Sequence, residues 1–243
     1  MTTLTVASHN LMGLEPSLLD ERTEAACFAL LLHEPPDVVL LQEVVDRTLR
    51  AHLLPHLRAA GFSVAPSEPV SDSSYYCLAA VGPRLRPTAA WRRPFAGSQM
   101  GRALLGIDAT LDGRPVRVCT GHLESLREGR RLRRAQVRVV ADALAEAEGE
   151  ALFAGDTNLR GEVDDELRAA GLVDAWQAVG APADGRSTWW PWRGPRRATG
   201  PRFDRLWCTS GLAVREVSLT DPRLEGGERV SDHACLRVRL GVG

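Results

Sequence analysis

The 243-residue sequence contains no lysine, and all 30 of its Lys and Arg positions are arginine. A lysine nucleophile, a Schiff base and a P-loop lysine are therefore excluded. Phosphate recognition falls to Arg forks, backbone amides, His or a metal. A GC-rich coding sequence is the plainer cause of this bias, and the chemical consequence holds either way. Cysteine is sparse: Cys27, Cys77, Cys119, Cys208 and Cys235 lie far apart without a Cys-x-x-Cys pair. Neither a zinc ribbon nor a disulfide framework is indicated, and each cysteine reads as a small buried hydrophobe. No apolar run approaches the ~20 residues of a membrane span. The start, Met1 to Thr5, lacks the basic and apolar regions of a secretory signal. A cytoplasmic location without a membrane partner is expected. A surplus of one charge sign is also missing, since the net charge is −1.

What is present points to one domain over 1–243, long enough for a substantial core. Leu4 to Ser8 alternates as a half-buried strand ending at Asn10. A helix is expected from Ser17 through Leu32, stopped by Pro35-Pro36. Asp37 to Leu41 reads as a strand buried on both faces with Gln42-Glu43 at its exit, and Asp46 as the cap of a helix running toward Gly61. A strand over Tyr75 to Val81 precedes a Pro/Arg/Gly-rich loop from Pro83 to Gly101. Asp112-Gly113 marks a hairpin between Leu104–Leu111 and Pro115–Thr120. Further expectations are a helix over Leu126–Glu148 with Arg on its exposed face, a strand at Ala151–Ala154, and a short helix at Val163–Ala170. A Trp-rich loop, Thr188 to Pro201, and strands at Phe203–Cys208, Ala213–Leu219 and Ala234–Leu240 complete the pattern. Helices interleaved twice with hairpins imply a four-layer αββα sandwich of two packed mixed sheets.

Strand after strand ends in polar residues: Asn10, Gln42-Glu43, His122, Asp156-Asn158, Asp204 and Asp232-His233. Singly, each reads first as a turn former or cap. Jointly they describe rigid elements presenting side chains to one cleft. Glu43 is the best single ligand for a hard cation such as Mg²⁺, with Asp232 and Asn10 as helpers. Asp156 is placed to take a proton from an attacking water that Asn158 holds. His233, kept charged by Asp204, would stabilise negative charge growing on a phosphoryl group, with His122 on the opposite flank.

At these residues the sequence resembles the endonuclease/exonuclease/phosphatase superfamily, through Leu41-Gln42-Glu43, Gly155-Asp156-Thr157-Asn158 and Ser231-Asp232-His233 in the family's order. Within it, Gly121 to Arg127 and Ala154 to Arg160 look like motifs of the 5′-tyrosyl-DNA phosphodiesterases, and Asp174-Ala175-Trp176, Ser187-Thr188-Trp189 and Arg202 to Arg205 follow at like intervals. The resemblance implies the αββα fold, Mg²⁺ or Mn²⁺ dependence and water attack on a phosphate ester. It carries over Asn10, Glu43, Asp156, Asn158 and His233 as the catalytic and metal group, with Asp204 behind His233. It also implies that His122, Ser125, Arg127 and Arg160 contact phosphates, that Leu159 belongs to the same DNA-gripping motif, and that Trp189 and Phe203 wall a displaced 5′ nucleotide. Trp192 is expected to pack against the core. Met12 stands where that branch has an acidic residue and His9 where it has Trp.

The reading that follows is a phosphodiesterase hydrolysing 5′-phosphotyrosyl-DNA linkages to leave a 5′-phosphate. Its expected partners are single-stranded or frayed DNA 5′ ends carrying a tyrosine adduct, and a monomeric minimal catalytic core is expected. With so little net charge, the nucleic-acid footprint must be a local Arg surface, and Arg130, Arg131, Arg133 and Arg134 are candidates. An abasic-site endonuclease on the same scaffold is disfavoured by Val44-Val45, where such enzymes commonly have Thr-Lys. An inactive nucleic-acid-binding module is disfavoured by the retained Glu43, Asp156, Asn158 and His233.

Overall fold

The computed structural model describes residues 2–32, 34–71, 73–160, 164–182, 187–192 and 200–243, with backbone alone for residues 164–166. One sheet comprises β1 (Thr2–Asn10), β2 (Val38–Val44), β3 (Ser63–Ala65), β4 (Tyr76–Val81), β11 (Leu212–Thr220) and β12 (Cys235–Val242), ordered β11-β12-β1-β2-β4-β3. The other comprises β5 (Leu85–Pro94), β6 (Ala103–Leu111), β7 (Arg114–Gly121), β8 (Glu150–Asp156), β9 (Val173–Asp174) and β10 (Asp204–Cys208), ordered β5-β6-β7-β8-β10-β9. Both sheets are mixed, as expected. β1 runs parallel to β2 and β7 parallel to β8, and the other pairs are antiparallel. A parallel pair needs a long crossover. Helix α1 (Leu19–Leu31) supplies the first and α4 (Arg130–Ala145) the second.

Three apolar layers hold the four structural ones together. Between the sheets, Leu4, Val6, Leu40 and Val81 meet Ile107, Val118, Leu152 and Leu206. Outside the first sheet, Val39, Leu41 and Leu78 pack with Ala26, Leu30 and Leu57. Outside the second, Cys119, Phe153 and Trp207 pack with Val137, Val140 and Leu144 of α4. The alternation of strand side chains between two buried faces explains why these strands read as continuous apolar runs. Among the described residues no helix is long and apolar enough to cross a membrane.

Several expectations are corrected. Most of the segment expected as a loop from Pro83 to Gly101 is β5, an edge strand paired only with β6, where Pro87 and Pro94 disrupt no central ladder. The short β3 and β9 had no sequence signal. The helix expected to start at Leu126 begins at Arg130, because Leu126 is left-handed (φ 64°). Arg133 of α4 is buried rather than on the exposed face. Asp46 is not a cap: Val45 holds that position, and Asp46 accepts the Tyr76 hydroxyl at 2.9 Å. The following helix is a composite of α2 (Asp46–Thr48), a π turn (Leu49–Leu53) and α3 (Leu54–Ala59). Two short helices remain, α5 (Asp164–Ala169) and α6 (Ala175–Ala178). Val163 and residues 193–199 of the Trp-rich loop lie outside the described residues. The hairpin turn is as expected, with positive φ at Asp112 (51°) and Gly113 (80°), the geometry a two-residue turn requires.

Candidate active site

The C-terminal ends of β1, β2, β7 and β8 open on one edge of the sandwich. Asn10 closes β1 and pairs in register with Gln42 on β2. A register shift between Leu41 and Val44 then throws Glu43 toward the cleft with its backbone left-handed (φ 55°). Such a conformation is costly for glutamate and is held by its surroundings. Gly13 is one such constraint: a Cβ there would lie 1.9 Å from the Glu43 carbonyl oxygen. Gln42, expected as an exit residue, turns inward instead, and its Nε2 joins Ser8 Oγ (3.2 Å) to Thr120 Oγ1 (3.0 Å) across the sheets. On the second sheet His122 bridges to Asp156, and the Leu123 amide donates to the Asp156 carbonyl at 2.8 Å. Gly155 allows this approach, since a Cβ there would meet Gly121 O at 2.2 Å. Asp204 lies opposite Asp156 in the β8–β10 register, and His233 arrives just before β12.

One carboxylate oxygen organises the result. Asp156 Oδ2 receives Asn10 Nδ2 at 3.0 Å, His122 Nε2 at 3.1 Å and faces His233 Nε2 at 3.6 Å. Its Oδ1 accepts the Asn158 amide at 3.0 Å, with Asn158 left-handed (φ 51°). The Asn158 side-chain amide donates to Leu123 O at 3.2 Å. Burial works to raise the Asp156 carboxyl, but the His122 and His233 charges and the bonds from His122 and Asn10 prevail, so it lies below the usual carboxylate range. His233 Nδ1 is 2.8 Å from Asp204 Oδ2. Burial opposes its charge, yet Asp204, Asp156 and Asp232 together raise it to about 10. A few ångströms away, His9 is driven the other way. Burial lowers it to about 4, and its neutral ring donates Nε2–H to the His233 carbonyl at 3.2 Å. Ser231 locks this segment by donating to Asn10 O (2.6 Å) and accepting the His233 amide (3.1 Å).

The metal corner is sparser. Glu43 Oε1 takes Asn10 Nδ2 at 3.2 Å and lies 3.9 Å from His122 Nδ1, a buried nitrogen with no hydrogen-bond partner. Asp232 has one oxygen committed to Trp189 Nε1 at 2.8 Å, and burial raises its carboxyl. Among the described residues no group of three or more His, Cys, Asp and Glu is arranged to hold a metal. That donor set does not make a zinc cage. It suits a hard cation taking one or two carboxylates, waters and substrate oxygens. Met12, where the resembled branch is acidic, has an apolar, nearly buried side chain, and its backbone amide donates to Asn10 Oδ1 at 2.9 Å.

Around this centre the remaining sequence candidates divide. Trp189 leans on Phe203 with centroids 5.8 Å apart, and Arg160 lies 5.0 Å over the Phe203 ring. Ser125 is half-buried and accepts Arg102 Nη2 at 2.8 Å, while Arg127 is exposed on the following turn. Leu159 is corrected: it is buried among Phe95, Phe153 and Trp207 and presents nothing to a ligand. Trp192 packs as expected, under the Arg22 guanidinium at 5.2 Å. Two important residues were given no role by the sequence reading, although Glu124 lies within the Gly121 to Arg127 motif. Arg22 is fully buried and donates to five carbonyls, those of Leu11, Met12, Glu15, Ser17 and Val230, tying the Asn10 loop to the segment before His233. Glu124 holds Ser98 Oγ (2.9 Å), the Gln99 amide (3.0 Å) and Gln136 Nε2 (3.1 Å) beside His122. The available signal was a charged or amide side chain on the apolar face of a helix, since Arg22 shares its face with Ala26 and Leu30, and Gln136 with Val140.

Fold, strand-end cluster and chain-wide match together place this chain in the Endonuclease/Exonuclease/phosphatase family, whose model matches residues 7–233. Within reach of that family, the chain is 31% identical over 256 residues to the Tyrosyl-DNA phosphodiesterase 2 of Mus musculus, covering 99% of this chain and 67% of that protein. It is 30% identical over 250 residues to the Gallus gallus protein of the same name, covering 96% of this chain and 65% of the relative, so it spans slightly less than two thirds of that relative's length. The crystal structure of D. rerio TDP2 complexed with single strand DNA product superposes with a TM-score of 0.85 at 26% identity, covering 100% of both chains.

Proposed function

We propose that this chain is a Mg²⁺- or Mn²⁺-dependent phosphodiesterase that hydrolyses 5′-phosphotyrosyl-DNA linkages to leave a 5′-phosphate. The observation that carries the reading is the convergence of Asn10, His122 and His233 on Asp156, with Asp204 behind His233. Phosphoryl transfer needs little covalent chemistry from a protein; it needs positioning and stabilised charge. Asp156 stays ionised and accepts a hydrogen bond from the attacking water, with Asn158 beside it. His233, charged against Asp204, and His122 face the oxygens on which negative charge grows. Glu43 with Asp232 would hold the cation, which when bound neutralises charge on the phosphoryl oxygens. Trp189 and Phe203 offer an aromatic surface to a base of any identity. A cavity beside His122 is lined by Pro66, Val70 and Tyr75, with the Arg102 guanidinium 5.9 Å over the Tyr75 ring, and it is the place we assign to the tyrosyl leaving group.

The test is a substrate panel with Mg²⁺: a 5′-tyrosyl oligonucleotide, an abasic duplex, and Asp156→Asn protein as the blank. Release of tyrosine by the wild type alone is the expected result. Cleavage of the abasic duplex with no tyrosine release would overturn the substrate assignment.

A further inference from the structure

Helix α1 is apolar on two sides. Arg22, Ala26, Cys27 and Leu30 face the first sheet and are buried. At about 100° per residue, positions 18, 21, 25, 28 and 32 form a second stripe, about 80° wide and turned away from the sheet. The outer stripe of a surface helix is ordinarily polar, but this one carries Leu18, Ala25, Phe28 and Leu32. Leu18 is 42% exposed, Phe28 49% and Leu32 63%. Among the described residues only Leu14 and Leu126 join them as exposed large hydrophobic side chains. Single exposed leucines are ordinary; three large apolar side chains on one stripe form a patch.

The stripe is the floor of a groove of about 710 Å³ whose other wall is the loop from Pro222 to Gly226, between β11 and β12. That wall is braced. Leu224 packs into the apolar layer outside the first sheet. The Leu224 amide donates to Glu228 O and its carbonyl accepts the Gly227 amide, each at 2.9 Å, and the Val230 amide donates to Pro222 O at 2.9 Å. The Arg223 guanidinium is engaged within the same loop, with Asp221 at 2.8 Å and Gly227 O at 2.7 Å. The rim is acidic, with Glu21, Glu24 and Glu225. Glu24 is shared by His52 and His56, each at 2.8 Å. The carboxylates of Glu21 and Glu225 form no hydrogen bond or ion pair with a described residue.

We infer that this groove docks an amphipathic helix of a partner protein, apolar on the face laid against Leu18, Phe28 and Leu32 and basic along its edges. The floor from Leu18 to Leu32 is about 21 Å long, room for about four turns of a helix lying in the groove. Charge decides among the occupants. Lysine or arginine flanks meet the unpaired Glu21 and Glu225 carboxylates. A second copy of this chain brings the same acidic rim, and its one groove cation, Arg223, is already engaged. A nucleic-acid strand or an anionic membrane adds negative charge to negative charge. The groove lies outside the first sheet and shares no residue with the catalytic cleft, so the inference does not depend on the reaction performed there.

The test uses a fluorescein-labelled synthetic helix of about 18 residues, with leucine at its positions 4, 8, 11 and 15 and lysine along both flanks. It is titrated by anisotropy against the whole chain, beside a counterpart with glutamate for every lysine. The lysine probe is expected to bind at least tenfold more tightly than the glutamate probe. Phe28→Ser/Leu32→Ser protein should lose tenfold or more of that affinity, since two apolar anchors are gone. Glu21→Gln/Glu225→Gln protein should lose about threefold and show a flatter dependence on salt. A benzophenone on the lysine probe should cross-link to α1 and to the 222–226 loop. Melting followed by circular dichroism checks the fold; if the double serine variant melts early, Leu32→Ser alone carries the comparison, with about threefold expected. Equal affinity of the two probes, or of the wild type and the serine variants, would overturn the inference. Cross-links confined to other surfaces would do the same. A dimer in sedimentation that the serine variants abolish would give the face to a second copy and overturn it as well.

Discussion

The two sheets build their shares of the cleft by different means. On the first sheet, Asn10, Met12 and Glu43 sit on strand ends bent into unusual backbone, with φ of 50° at Met12 and 55° at Glu43, and Glu43 is only lightly bonded. On the second sheet, His122, Asp156 and Asp204 stay within or beside regular strands; His122 Nε2, both Asp156 oxygens and Asp204 Oδ2 are engaged, while His122 Nδ1 and Asp204 Oδ1 have no hydrogen-bond partner. One corner spends conformational strain to expose a carboxylate. The other uses the ladder of β7, β8 and β10 to hold charges in fixed order. The difference teaches that one corner, the open one, leaves a carboxylate with bonding capacity to spare, while the other, the bonded one, has its charges preorganised by the ladder.

That contrast can be broken in graded steps. The largest effect is expected at the bonded corner: Asp156→Asn should lower kcat/KM by about 10³-fold or more with the fold kept, checked by steady-state kinetics and circular dichroism. Next comes the tie between the corners. Arg22→Met strands five buried carbonyls and should destabilise the protein by about 3 kcal/mol, a fall in Tm of about 6–12 °C by calorimetry.

Asp204→Asn should cost about 10²-fold in kcat and change the dependence of stability on pH. In the wild type His233 is raised from 6.5 to about 10, so its stabilisation is full below 6.5 and drains away as pH rises toward 10. Without the Asp204 charge that pKa falls. Melting curves should therefore show the variant furthest below the wild type near pH 6.5, with the gap closing by about pH 10. A gap independent of pH would show that Asp204 acts by packing. The smallest effect belongs to the open corner. Glu43→Gln should lose about tenfold in activity and recover most of it when Mg²⁺ is raised, because a lost ligand weakens a site that remains otherwise intact.

Much of the architecture was legible beforehand for a local reason. Short β-rich apolar runs, a two-residue turn at Asp112-Gly113 and helical periodicity are properties of neighbouring residues, and they located the central strands and α1 closely. β5 was missed because its prolines and arginines are tolerated only on an edge, and edge position is a fact about the sheet. Arg133 was misplaced because helical spacing shows which residues share a face but not which face meets carbonyls without partners. Leu159 was drawn into the DNA site by its motif neighbours, while its side chain went to the core.

By itself, the sequence determined the kinds of groups available: carboxylates, two site histidines and an asparagine at strand exits, arginine as the sole strong cation, and no lysine or cysteine chemistry. Those are intrinsic acidities and hydrogen-bonding capacities, and they already pointed to phosphate esters. Only the tertiary structure decided that three of these groups converge on one oxygen of Asp156, that His9 is neutral and His233 charged, and that Arg22 binds the two loops together. The physical reason is that a charge state and a convergence both depend on burial and on partners from other strands, 29 residues apart for Asp204 and His233 and 146 for Asn10 and Asp156. Those exist only once two parallel strand pairs have brought their ends to a common edge.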